Sequence, residues 1–160
     1  MTDEVRRELL GVYAAVDAAV AAAGPRCDAS GRCCRFTEYG HTLFISHFEA
    51  ELLLESAPPF AQPVSRAACP FQVDNLCTAR ESRPLGCRIY FCDERYTETG
   101  NRITEDALRE LKRIADTHDA GWRYAPLHMF LNEAQRPQPD AADTMTPAPG
   151  NRSRVSLPVV

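Results

Sequence analysis

The sequence predicts a small α+β protein, mainly helical, in which a short β-hairpin and irregular cysteine-rich loops fill the interval between the helices. Two stretches, at about residues 2–23 and 104–117, repeat apolar side chains at three- and four-residue spacing, the mark of helices with one buried face. A turn dipeptide, Asp74-Asn75, lies inside a segment bracketed by Cys69 and Cys77. All seven cysteines, Cys27, Cys33, Cys34, Cys69, Cys77, Cys87 and Cys92, fall between residues 27 and 92.

The first helix carries Val5, Leu9, Val12, Tyr13, Val16 and Val20 on one face. Thr2 can accept a bond from its unpaired first-turn amides, Asp3 and Glu4 suit its positive end, and Gly24-Pro25 stops it. Residues 27–35 then read as a loop in which Gly31 permits a tight turn, so that both ends can face one centre. Residues 42–45 are β-prone, and Ser46-His47-Phe48-Glu49 is a capping box opening a helix through Leu52, Leu53 and Leu54 that ends before Pro58-Pro59. The Asp74-Asn75 hairpin should bring the sulfurs of Cys69 and Cys77 near each other. Residues 83–88 read as turn-rich, and Ile89-Tyr90-Phe91 leads to Cys92.

The second helix, 104–117, places Leu108, Leu111, Ile114 and Ala115 on one face, with Glu105 and Asp106 in its first turn. Trp122, Tyr124, Leu127, Met129, Phe130 and Leu131 follow as apolar material, with the Trp122/Tyr124 pair expected in the core. From Gln135 onward five of the twelve prolines are met and few large apolar groups, so 135–160 reads as a disordered tail behind one domain at 1–134.

With 44% hydrophobic and 25% charged residues among 160, the body of the chain can build a core. No apolar run approaches the roughly 18 to 20 residues that cross a bilayer, and Asp17 interrupts the alanine-rich stretch 14–23. The first residues mix both charge signs where a secretory signal is basic and then apolar, so a cytoplasmic location is expected. A net charge of −4 argues against nonspecific nucleic-acid binding. Neither nucleic acid nor membrane is therefore an expected partner.

Seven cysteines cannot all pair within one chain, and thiols in a reducing compartment stay reduced. Clustered in this way they point to a metal centre that organises the loops, with a zinc ion or an iron–sulfur cluster as the natural guest of soft thiolates. Four thiolates close one tetrahedral set. Seven allow either one centre with three spare thiols, or two metals sharing a bridging sulfur. The adjacent Cys33-Cys34 pair looks awkward for a single mononuclear centre, because successive side chains diverge in extended chain. Zinc fingers and ribbons use tighter knuckles, and only Cys87-x4-Cys92 approaches one. Arg26, Arg32, Arg35, Arg80, Arg83 and Arg88 crowd the same segments and would offset thiolate charge, although at least half are expected to be ordinary surface residues.

Three elements, Cys27-Asp28-Ala29-Ser30-Gly31-Arg32-Cys33-Cys34-Arg35, Cys69-Pro70-Phe71 and the run from Cys77 through Arg83-Pro84-Leu85-Gly86-Cys87-Arg88, occur together in order. In this set the chain resembles the YkgJ-type cysteine-cluster family, described as a zinc- or iron-chelating domain, over roughly residues 27–92. Ser30 stands where many members carry a further cysteine, so the resemblance implies an eight-thiol pattern with one thiol missing. Bacterial flagellin lysine methylases are similar in their cysteine set, which is thought to hold an iron–sulfur centre. The resemblance implies a metal-binding role for all seven cysteines, with Cys34, Cys69, Cys77 and Cys87 foremost among the ligands.

Other candidates are weaker. His118-Asp119 lacks the further ligands of a phosphohydrolase site, and His41 and His47 read as a packed or surface histidine and a first-turn helix residue rather than ligands. Glu49, Asp93 and Glu94 read as capping or solvated carboxylates. No phosphate loop, nucleophile elbow or metalloprotease helix is present. The sequence therefore predicts a metal-binding protein, with a metal-dependent oxidoreductase or modifying enzyme, or a thiol switch at Cys33 and Cys34, as alternatives. It assigns no catalytic residue.

Overall fold

The computed structural model describes residues 1–134; the stretch read as a disordered tail lies outside them. Helix α1 runs Asp3–Ala23. The Thr2 hydroxyl accepts from the Val5 amide at 3.3 Å, and Gly24, in the left-handed region, returns its N–H to the Val20 carbonyl. Its buried face meets two later helices, α3 (Leu85–Ile89) and α4 (Thr97–Thr117). Val5, Leu9, Tyr13, Val16 and Val20 pack there on Leu85, Ile89, Leu111, Ile114 and Ala115, forming one core.

A second core gathers Phe36, Ile45, Leu53, Phe71, Ala125, Leu127, Phe130 and Leu131, and Cys69, Cys77 and Cys87 pack against it. Helix α2 (His47–Ser56) lies between the two, giving Phe48 to the first and Ala50 and Leu53 to the second. A helix buried on two sides has no single apolar stripe, which is why its capping box announces it better than its periodicity. That box forms as expected: Ser46 Oγ accepts from the Glu49 amide, and the Glu49 carboxylate accepts from the Ser46 amide at 2.7 Å.

Strand β1 (Phe44–Ser46), slightly later than the β-prone run, pairs antiparallel with β4 (Tyr124–Pro126). Ile45 faces Ala125 in the core, while Phe44 and Tyr124 stack outside it at 5.7 Å. Trp122 stacks on Tyr124 in turn. Both are exposed, contrary to the expectation of core packing, because Ala125, the strand's middle residue, takes the inward position. The hairpin of β2 (Gln72–Val73) and β3 (Leu76–Cys77) turns at Asp74 and Asn75, whose φ angles of 48° and 65° are those of a tight primed turn.

Besides β4, read from the sequence only as apolar material, three elements differ from the sequence reading. Residues 83–88, expected as turns, overlap α3, whose first N–H is accepted by the Glu49 side chain of α2. Helix α4 begins at Thr97 rather than near 104; its first two turns contain Gly100 and Asn101, weak helix formers that hide it from periodicity. Gly100 is needed there, since a Cβ would stand 2.8 Å from the Tyr96 ring. Residues 127–133, read only as apolar material, form helix α5 (Leu127–Glu133). Asn132 on α5 exchanges two hydrogen bonds with the backbone of Val64, pinning the long loop before the hairpin. Among the described residues no helix is long and apolar enough to cross a membrane.

Candidate metal centre

The first cysteine loop ends in a 3₁₀ turn, Arg32–Cys34, entered through Gly31 at φ 71°. Gly31 has a second reason to be glycine: its carbonyl accepts from Gln72 Nε2 at 2.9 Å, and a Cβ would collide with Gln72 and Asn75. The Cys69 amide donates to the Cys34 carbonyl at 2.8 Å, so the first loop and the hairpin segment are locked by backbone. Cys87 sits on α3, held at Leu85 by the Glu49 carboxylate, and Asp93 accepts from the Arg26 amide, joining the chain just past Cys92 to the chain just before Cys27.

These ties deliver all seven cysteines, and Ser30, to the wall of a single cavity of about 280 Å³. Cys34 is buried, Cys27 is exposed and the other five are half-buried; all seven thiols are free. The Cys33 and Cys34 sulfurs lie 3.9 Å apart. The divergence expected of adjacent residues does not arise, because the pair sits in a 3₁₀ turn rather than extended chain. Two sulfurs on one tetrahedral zinc at about 2.3 Å would be about 3.8 Å apart, so this pair can share a metal. Among the described residues no three His, Cys, Asp or Glu side chains converge closely enough to hold one ion. The seven cysteines line a common space without three of them being drawn onto one point.

The thiols hold one another protonated. The hydrogen bond to Cys34, followed by burial, pushes the Cys33 thiol up. That same bond favours the Cys34 thiolate, but the bond with Cys69, burial and the proximity of Cys69 and Cys77 outweigh it and push Cys34 up to about 12. Burial and then Cys34, Cys77 and Cys33 raise Cys87, with Arg83 opposing. Several thiolates can coexist here only when a cation replaces the protons, as metal binding to cysteine requires.

Of the six arginines near the cysteines, Arg32, Arg80 and Arg83 line the cavity and can offset thiolate charge. The other three have different work. Arg88 lies over the Tyr13 ring, pairs with Asp17 at 2.6 Å and donates to the carbonyls of Glu81 and Arg83; Arg35 donates to the Ser30 carbonyl; Arg26 pairs with Asp28. His41 and His47 do not line this cavity: His41 stacks on Tyr90 and His47 packs on Phe48 at the start of α2. His118 bonds Glu8 at 2.7 Å.

Glu49 is the positioning residue that sequence reasoning saw only by half. The capping box foretold its bonds to Ser46; its third bond, 2.7 Å to the Leu85 amide, links residues 36 apart. Burial raises its pKa, and the hydrogen bonds from Ser46 and Leu85 oppose that rise.

The donor set fits a soft-metal centre: thiols from three segments, arginine counter-charge and apolar lining from Leu43, Leu53, Phe71 and Leu127. Compared with protein-family models, with curated proteins and with solved structures, the chain matches none.

Proposed function

We propose that this chain is a metal-binding protein of the cysteine-cluster type it resembles, holding a polynuclear thiolate centre, an iron–sulfur cluster in first place, between the loops at 27–35, 69–77 and 87–92. The observation that carries the reading is that all seven cysteines line one cavity. Seven thiols exceed the four that close one tetrahedral zinc, which favours a cluster or a pair of bridged metals.

The centre would contribute folding energy, above all at 27–35, which has no large apolar side chain of its own. A cytoplasmic, reducing location would keep the ligands available.

Purification without chelators under anaerobic conditions tests the reading. A brown protein with stoichiometric iron and acid-labile sulfide supports the cluster, and two or more zinc ions per chain support a bridged zinc centre. One zinc per chain refutes the polynuclear centre, and protein free of both metals refutes metal binding.

A further inference from the structure

Behind the wall formed by Cys33, Cys87 and Tyr90 lies a second cavity, of about 420 Å³, within the size range of small-molecule sites. We propose that it binds an uncharged, planar aromatic molecule carrying a hydrogen-bonding heteroatom. Tyr90 and Phe91 line both cavities, whereas Phe44, Tyr96, Tyr124 and the residues of α4 line this one alone, and the proposal does not depend on a metal in the other.

The lining chemistry identifies the class of ligand. Phe44, Tyr90, Phe91, Tyr96 and Tyr124 supply aromatic surface, and Thr97, Asn101 and Thr104 supply neutral polar groups from α4. No Asp, Glu, Lys or Arg is among the described residues that line it, in a chain with 25% charged residues. The thiol cavity next to it carries Asp28 and three arginines. A charged ligand entering the aromatic cavity would lose its hydration and find no counter-charge, whereas a neutral ring system would lose little.

The α4 side of the cavity can orient such a molecule: Thr97, Asn101 and Thr104 offer neutral donors and acceptors along one wall. The His41 ring lies nearly parallel to Tyr90, with centroids 5.0 Å apart and planes at 20°, presenting a flat aromatic wall. Gly100 holds the opposite side: lacking a Cβ, it lets the Tyr96 ring lie against the α4 backbone.

The test is a fluorescence titration of the purified chain with two probes of one ring framework, neutral N-phenyl-1-naphthylamine and its anionic sulfonate counterpart, 8-anilino-1-naphthalenesulfonate. The neutral probe is expected to bind at one per chain, with the sulfonate at least about tenfold weaker. Asn101→Trp, an exposed position at the rim, should weaken the neutral probe by about tenfold or more without moving the thermal midpoint. Equal affinity for both probes, or full affinity in Asn101→Trp, overturns the proposal. Metal content measured on the same samples separates the two readings. Metal-free protein that binds the neutral probe as described refutes the metal centre alone, and metal-loaded protein that does not bind it refutes this site alone.

Discussion

Replacing Glu49 should unseat the helix that carries Cys87. Its carboxylate accepts three hydrogen bonds, from the Ser46 amide at 2.7 Å, the Ser46 hydroxyl at 2.9 Å and the Leu85 amide at 2.7 Å, and the residue is 1% exposed. In Glu49→Ala the Ser46 hydroxyl can turn elsewhere, but two backbone amides lose their acceptor without gaining water, at about 1–3 kcal/mol each. Relief of the carboxylate's own desolvation returns part of that. A net loss of about 2–4 kcal/mol is expected, a large share of the roughly 5–15 kcal/mol typical of a domain. Glu49→Gln should cost nearly as much, because its NH₂ group must face one of the two amide donors. Urea unfolding followed by circular dichroism measures the loss, and hydrogen exchange at the Leu85 amide locates it. Glu55→Ala, which removes one side of an exposed pair with Arg6, serves as the control and should cost less than about 1 kcal/mol. If Glu49→Gln lies within about 0.5 kcal/mol of the parent and Leu85 stays protected, the carboxylate is not what holds α3.

Cys87→Ser should lower metal content and the melting temperature together, and unchanged values in both would remove Cys87 from the site. Gly31→Ala should destabilise by about 1–3 kcal/mol in thermal melts, since the new Cβ meets the Asn75 backbone at 3.1 Å and the position has φ 71°; an unaltered melt would show that the two loops are not tightly docked there. Asp93 is held at about 2 by the Arg95 side chain and then by the Arg26 amide, against an ordinary 3.8. Its contribution to stability is therefore present above about pH 3.8 and lost as pH falls toward 2, so the difference in melting temperature between the parent and Asp93→Asn should shrink over that window. A carboxyl titration midpoint for Asp93 near 4 by NMR would contradict this.

The local elements were legible where one residue fixes one consequence. Thr2 and Gly24 bound α1, Ser46 with Glu49 opens α2, and Asp74-Asn75 turns the hairpin, because caps and turns are satisfied by neighbours within a few residues. Where a partner lies far along the chain, the reading stopped short. Helix α3 depends on an acceptor 36 residues away, and β4 exists because β1 pairs with it. The start of α4 is concealed by Gly100, whose presence answers to the Tyr96 ring rather than to helix propensity.

By itself the sequence determined the chemistry of this protein: seven clustered thiols, arginines among them, and helices enough to carry a core. Tertiary structure decided which thiols meet. Backbone bonds from Cys69 to Cys34, a side-chain bond from Gln72 to Gly31 and the Glu49 link to Leu85 bring three separated segments around one cavity. It also divided the arginines, sending Arg88 to Tyr13 and Asp17 while Arg32, Arg80 and Arg83 face the thiols. Residue types are carried by the chain and can be read locally. Distances between remote segments come only from the long-range bonds and the two cores that fold them together.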